Sequence, residues 1–450
     1  MSGRGRRRSR PGPDGESPIY NSLMRLPVGL RALRAPNYRL FMSGQIVSLV
    51  GTWMQAVAQA WLIYRLTGSA ALLGLIGFSG QIPVFLLAPL GGVVADRASR
   101  HRILVATQSG MMVLALLLAT LTLSGIVQVW QVFALASLLG FANAFDIPAR
   151  QAFIVDLVAR EDLVNAIALN SSMVNGARIV GPAAAGILVA TVGEGWCFLL
   201  NGLSYLAVLA ALLRMRVAPR SRSKAPLSAW ASILEGFEFA WRTTPVRALL
   251  LLLGLVSLMG MPYAVLMPIF ADRILSGGPD AYGLLLSASG VGALGAAASL
   301  TVRRSVRGLG RWVAVSATGF GVCLMAFSAS RSLWLSTLLL VPAGFFMMLE
   351  MASSNTLIQS MVPDRLRGRV MSVYSMMFMG MAPLGALMAG ALAAPLGAPA
   401  TVAIGGAVCI GGGLIFGLRL PRLRGPAREL IVAQQMAAGT PAEEATRSVK

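Results

Sequence analysis

Twelve stretches of roughly 20 apolar residues, separated by short charged or Gly/Pro-rich breaks, leave this chain very few ways to fold. They fall near 40–64, 70–95, 103–124, 129–157, 163–192 and 195–216, then near 247–274, 281–302, 311–329, 332–361, 368–396 and 399–420. About 20 helical residues cross the hydrocarbon core of a bilayer. Inside lipid a backbone must satisfy its own polar groups, so each run is expected to be a helix. Composition agrees: of 450 residues, 56% are hydrophobic and 12% charged, too few charges to cover a water-facing surface. The expected fold is an all-α membrane protein with twelve transmembrane helices in two pseudo-symmetric six-helix bundles. Ala58-Gln59-Ala60 resembles a signal-peptide cleavage site, but the run continues through Trp61 and Tyr64 and begins too late, so the first helix is expected to stay uncleaved.

The grouping of the runs divides the chain. Residues 1–36 read as a disordered basic tail, 37–216 as an N-terminal six-helix bundle, and 217–246 as a cytoplasmic linker. Residues 247–420 read as a C-terminal six-helix bundle and 421–450 as a cytoplasmic tail. The linker opens with Arg220, Arg222 and Lys224, and its stretch from Leu227 to Trp241 is amphipathic, suited to lie along the membrane surface. With the N-terminus inside, 34 of the 38 Lys and Arg fall on the cytoplasmic side. The positive-inside rule therefore places both termini in the cytoplasm of a cell-membrane protein. The same distribution removes nucleic acid as a partner: the net charge of +21 is spread over loop clusters, with no basic helix or aromatic platform.

Other chemistries lack their residues. Cys197, Cys323 and Cys409 each lie in a different apolar run with no metal-ligand spacing, and His101 is the single histidine. There is no G-x-x-x-x-G-K-[ST] phosphate loop, so neither a metal, a cofactor nor an ATPase engine is expected, and the chain is read as a non-enzyme.

Two loops echo one another. Asp156–Asn165 (DLVAREDLVN) and Ser360–Arg369 (SMVPDRLRGR) lie 204 positions apart, each joining the fourth run of its half to the fifth. Between the second and third runs stands Gly92-Val-Val-Ala-Asp96-Arg97-Ala-Ser99-Arg100-His101-Arg102. This resembles the signature loop of the major facilitator superfamily, with Ser99 where the family usually has glycine. The loop after the eighth run, Arg303-Arg304-Ser-Val-Arg307-Gly308, keeps the basic cluster without the aspartate. On physical grounds Gly92 permits close helix packing, and Asp96 can accept from a helix N-terminus and nearby arginines. The resemblance implies a conformational latch of Gly92, Asp96, Arg97, Arg100 and Arg102 against the start of the eleventh helix, at Arg367 and Arg369, which breaks when the transporter opens inward. Asp146-Ile-Pro148 to Val158 and Val362 to Val370 are similar to the enterobactin-exporter-like branch, which also holds drug effluxers. Asn175 to Gly186 partly matches the glycine–proline motif of antiporters, with Ala177 and Ala185 replacing two glycines.

A charge in mid-helix costs roughly 2.5–3.5 kcal/mol on insertion scales, so each needs a reason. Three stand out: Asp146, Arg178 and Glu350, with Asp146 and Glu350 again 204 positions apart. By resemblance, the fourth and tenth helices line a central cavity. A carboxylate there can take a proton and couple it to substrate; alternatively Asp146 and Arg178 form a permanent pair, while Glu350 has no evident basic partner. Further cavity candidates are Gln55, Gln59, Asn170, Asn175, Tyr263, Met347, Met351, Asn355 and Met377, the methionines suiting varied ligands. Pro148, Gly181 and Pro182 are expected to bend helices.

Together these features lead to the expectation of a secondary transporter exporting amphipathic small molecules, drugs or siderophore-like metabolites, by alternating access. The expected partners are that small molecule, a proton and membrane lipid, with a monomer as the unit. The alternatives are an uptake symporter for a polar nutrient and a non-transporting receptor on the same fold.

Overall fold

A computed structural model describes residues 28–215, 229–301 and 307–437. The first 27 residues, the linker residues Arg220, Arg222, Lys224 and Leu227, the loop arginines Arg303 and Arg304, and the tail beyond 437 lie outside the described residues.

Twelve helices are long and apolar enough to cross a membrane. They are α1 (Pro36–Thr67), α2 (Ala70–Arg97), α3 (Arg100–Leu123), α4 (Val129–Leu157), α5 (Leu163–Thr191) and α6 (Glu194–Arg214). The second six are α7 (Thr244–Ile274), α8 (Gly278–Thr301), α9 (Leu309–Ala329), α10 (Leu333–Met361), α11 (Asp364–Leu396) and α12 (Ala398–Ala437). The chain is a multi-pass membrane protein. Helix ends follow local chemistry. Gly68 closes α1 in the left-handed region at φ 62°, and Ser69 accepts from the Leu72 amide to start α2. Ser99, the departure from the family glycine, has an ordinary φ of −68° and caps α3 by accepting from the Arg102 amide. The turn therefore does not require glycine.

The halves repeat one another. In the first, α1 packs on α6 and α5, α2 on α4, and α3 on α4 and α6. Six helices later, α7 packs on α12 and α11, α8 on α10, and α9 on α10 and α12. Across the halves α2 meets α11 and α5 meets α8. Lipid offers no hydrophobic drive for helices to associate, so close backbone approach carries these contacts. A Cβ on Gly74 would stand 2.8 Å from the Gly390 Cα, and one on Gly283 would stand 2.8 Å from the Gly186 Cα.

The first and last described helices begin and end, after twelve crossings, at one end of the bundle, beside Arg31, Arg100, Arg367 and Arg424, the arginine-rich end. The polar and ring contacts between halves gather at the opposite end. Tyr64 Oη donates to Asp272 at 2.6 Å, the Arg273 guanidinium donates to the Gly68 carbonyl and stacks over Tyr64, and Trp61 stacks on Tyr282. Nearer mid-depth, Ser287 Oγ donates to the Ile179 carbonyl.

Three expectations are refined here. First, Pro148 and Pro182 lie inside helices that continue through them, and Gly181 also serves a contact, its missing Cβ leaving room for Trp53 of α1. Irregular backbone lies in α7 and α11, as π turns at Val256–Gly260, Phe270–Ile274 and Met376–Gly380. Pro262 and Pro383, which lack an amide proton, follow the first and last of these. Ser257 Oγ donates to the Phe378 carbonyl at 2.5 Å, tying the two irregular segments together. Second, α12 does not stop near 420 but continues to Ala437, with Pro421 and Pro426 inside it. Third, Gly91 rather than Gly92 packs on α4, against the Ala144 carbonyl; Gly92 has nothing within 4 Å of a would-be Cβ. One residue is a 100° turn of the helix, which faces Gly92 away from α4.

The amphipathic linker helix spans Ala229–Arg242. Its Glu235 pairs with Arg365 at 3.3 Å and with Arg369, while Leu234, Phe237 and Trp241 remain exposed. An exposed apolar face beside a membrane bundle suits the interface.

Candidate functional site

Midway along α5, Arg178 meets three other helices. Its guanidinium lies 5.7 Å from the Trp53 ring centroid on α1, and the Tyr263 hydroxyl of α7 lies within its electrostatic reach. Tyr263 shares a 2.7 Å hydrogen bond with Ser289 of α8. Gly290 brings α8 close to the backbone of Arg178 and Ile179. Among the described residues no carboxylate stands within 4 Å of Arg178. An aromatic face compensates a guanidinium only in part. This cation therefore stands where the two halves join, with no carboxylate partner among the described residues. On the arginine-rich side of it, Ser171 and Asn175 continue a polar stripe at i, i+4, i+7 spacing, with the Asn175 amide donating to the Ser171 carbonyl.

The expected Asp146–Arg178 pair does not form. Asp146, 1% exposed, turns into its own bundle. It accepts from Thr107 and Gln108 of α3, both at 2.9 Å, and pairs with Arg150 one helical turn away at 3.3 Å. Intrahelical i,i+4 geometry makes Arg150 the nearer cation. Asp146 thus ties α3 to α4 and already has a cation beside it. Asp146→Ala is expected to lower stability by about 3–5 kcal/mol, because it strands Arg150 and two polar partners. Thermal unfolding in detergent checks this.

Glu350 differs. It is also 1% exposed, but its one hydrogen bond is from Ser354 Oγ at 3.1 Å, and no Lys, Arg or His lies within 4 Å of it among the described residues. Cys409 of α12 and Tyr374 of α11 lie within its electrostatic reach. The pseudo-symmetry holds in space: Asp146 lies near Tyr205 and Glu350 near Cys409, and 205 and 409 are themselves 204 apart. The first half supplies its buried carboxylate with a cation; the second does not. Tyr374 Oη donates to the Met351 carbonyl, bracing α11 on α10 beside Glu350.

The two sides of the latch, the Asp96 loop and Arg367 with Arg369, show no ion pair with each other in this structure. Asp96, with its side chain 52% exposed, pairs at 3.3 Å with Arg100, which also binds Asp156 at 2.8 Å. Arg367 pairs with Asp364 at 2.5 Å, and Arg369 is held by Glu235 of the linker helix. Arg97 and Arg102 project outward, Arg102 with its amide on the Ser99 cap. The expected contact partners are therefore occupied locally, on halves whose gathered contacts lie at the opposite end.

The remaining candidates divide. Gln55 is buried and accepts from Asn201 of α6 at 2.6 Å, so it fastens α1 to α6; Gln59, one turn on, is partly exposed. Asn170 is partly exposed, and Asn355 accepts from Gln359 at 2.5 Å on α10. Met347 is buried in the second half's core, Met351 is partly exposed, and Met377 lies in the π turn of α11 facing Gly254 of α7. Sequence reasoning missed Trp53, Ser289 and the Tyr64–Asp272 bond. Trp53 and Ser289 carry no charge that would single them out within their runs, and Asp272 lies at the end of its run beside Arg273.

A profile described as transmembrane secretion effector matches residues 28–443, nearly the whole chain. The chain belongs to that family. It is a transporter of the major facilitator type, and the resemblance carried by the Asp96 loop is upheld. Similar relatives are the staphyloferrin A transporter of Staphylococcus aureus, 25% identical over 83% of this chain and 94% of that one, and the multidrug efflux pump Tap of Mycolicibacterium fortuitum, 27% identical over 80% and 90%. The enterobactin exporter EntS of Citrobacter koseri is 26% identical over 86% and 93%. Solved structures agree on the fold. A POT family transporter in complex with 5-aminolevulinic acid aligns at TM-score 0.71 and 12% identity over 86% of this chain and 97% of that one. The nucleoside transporter NupG aligns at 0.66 and 14% over 85% and 98%. Relatives and fold are those of transporters, not enzymes.

Proposed function

We propose that this transporter exports amphipathic small molecules, drug-like or siderophore-like, in exchange for protons by alternating access. The observation that carries the reading is Glu350: a buried mid-helix carboxylate whose hydrogen-bond partner is a serine and which has no cation in reach among the described residues. Keeping such a group charged away from water is expensive, and a proton is what neutralises it. The neighbouring Tyr374–Met351 bond links Glu350's surroundings to α11, one of the helices that touch the other half. Loading and unloading a proton there would bias how the halves pack. Arg178, at the junction of the halves, is the complementary group: it would receive a carboxylate or acceptor oxygen of the substrate, with Trp53 and Tyr263 against its apolar body.

Orientation follows from the arginines: the arginine-rich end is cytoplasmic, with both termini inside. The conformation is then inward-facing, closed by Tyr64, Asp272, Arg273 and the Trp61–Tyr282 stack, with the Asp96 latch open. In the outward-facing state Asp96 would engage the start of α11 at Arg367 and Arg369, which requires Arg369 to leave Glu235. The names of two relatives, an enterobactin exporter and a multidrug efflux pump, favour the outward direction. The working unit is read as a monomer, since one chain carries both halves.

Intact cells expressing the chain are expected to accumulate less of a fluorescent amphiphile than control cells, and an uncoupler that collapses the proton gradient is expected to erase the difference. Higher accumulation on expression would mean import and overturn the reading. Tags at residue 1 and residue 450 should be reachable only after the cells are opened.

A further inference from the structure

A cavity of about 560 Å³ opens at the arginine-rich end of the second half, away from Arg178 and Glu350. It lies between the starts of α7 and α9, the end of α10, and the part of α12 that continues beyond a bilayer's need. Forty residues of α12 make roughly 60 Å of helix, about twice the hydrocarbon thickness. Four arginines line the cavity: Arg307 in the turn before α9, Arg311 in the first turn of α9, and Arg424 and Arg428 from the extension of α12. No Asp or Glu stands among its described lining residues, and no carboxylate lies within 4 Å of Arg311, Arg424 or Arg428 among the described residues. Glu429, next in sequence, is exposed and does not line it. Beneath the arginines the wall turns apolar, with Leu249 of α7 and Phe416 of α12 among the side chains there.

We propose that this cavity binds the headgroup of an anionic phospholipid, its phosphate held by the arginines and the start of an acyl chain laid on the apolar wall. Like charges gathered on two helices repel unless an anion sits between them, and guanidinium pairs bind phosphate through forked hydrogen bonds. Basic pockets between transmembrane helices are suited to such headgroups. The volume lies in the range of small-ligand sites. The apolar wall selects lipid over free phosphate, because a soluble anion has no use for it. The ligand would staple α12's extension to α9. Which leaflet supplies the lipid rests on the orientation proposed above, but binding in detergent does not depend on it, so the terminal tags and this experiment fail separately.

The test is native mass spectrometry of the purified full-length protein titrated in detergent with phosphatidylglycerol, phosphatidylcholine or soluble glycerol phosphate. Phosphatidylglycerol is expected to stay bound, phosphatidylcholine to be lost, and glycerol phosphate not to displace the lipid. The Arg424→Gln/Arg428→Gln double variant should bind phosphatidylglycerol roughly 25-fold more weakly, about fivefold for each arginine. The charge-matched Arg39→Gln/Arg214→Gln pair should stay within about twofold of the original chain. If the double variant does not purify folded, Arg424→Gln alone carries the test at about fivefold. Equal retention of both lipids, or an unchanged affinity in the arginine variants, would overturn the proposal. Displacement by glycerol phosphate would overturn the lipid as the occupant and leave a soluble anion in its place.

Discussion

Glu350→Gln is expected to abolish substrate-driven proton movement in reconstituted vesicles while leaving the protein folded and still able to bind substrate. Glutamine matches glutamate in shape, so the 3.1 Å bond with Ser354 and the packing near Tyr374 survive. What is lost is the ability to change charge. The variant mimics the protonated state permanently, and a carrier fixed in that state still exchanges substrate for substrate but cannot exchange it for protons. The expected fall in coupled flux is at least about 100-fold, equivalent to about 2.7 kcal/mol in a barrier. Substrate–substrate exchange should fall by no more than severalfold. Asp146→Asn provides the contrast: Asp146 already has Arg150, Thr107 and Gln108, so neutralising it should cost stability and leave coupling in place. A Glu350→Gln protein that still moves protons with substrate would remove this residue from the mechanism.

Gly283→Leu is expected to stop transport by another route, holding the halves apart at the end opposite the arginines. A Cβ at Gly283 would stand 2.5 Å from the Pro182 carbonyl and 2.8 Å from the Gly186 Cα, and both are backbone, which cannot swing aside as a side chain can. Relief requires α5 and α8 to separate by ångströms, and with them the Tyr64–Asp272 bond and the Trp61–Tyr282 stack. Each half keeps its own core, so the melting temperature should fall only modestly, in keeping with roughly 1–3 kcal/mol for overpacking. The readout is thiol labelling at Trp61→Cys. Trp61 is 7% exposed, so the thiol should be protected in the original background and reactive when Gly283→Leu is added. Cys197, Cys323 and Cys409 are buried and should contribute little background. Continued protection with full transport would show that the α5–α8 approach is not needed for the cycle.

Much of this was readable from residues alone, and the division has physical causes. The twelve helices were legible because hydrocarbon thickness fixes how long an apolar run must be. The repeat was legible because the 204-residue offset recurs, from the two loops to Asp146 and Glu350. Which way a helix faces was not legible. Where polar side chains are few and can face either a cavity or a neighbouring helix, periodicity does not report rotation; sequence favours Gly92 where Gly91 makes the contact, and places Gln55 in the cavity where Asn201 holds it. The partner of Asp146 was within reach of sequence reasoning, since Arg150 stands one turn away, but the longer-range cation Arg178 drew the argument. Glu235's hold on Arg369 depends on how the linker helix folds back, a tertiary fact with no local signature. The prolines do not by themselves locate the irregular backbone. Pro148 and Pro182 lie inside continuous helices, while the π turns form in α7 and α11, where Ser257 is placed to satisfy the Phe378 carbonyl.

Proteoliposomes containing the unaltered chain test most directly whether a proton gradient drives the carrier. A pH step imposed across them, with equal amphiphile on both sides, should drive net uphill movement of the amphiphile toward the side from which protons leave, and reversing the step should reverse the flow. Amphiphile that merely equilibrates, at the same rate with or without the pH step, would contradict it.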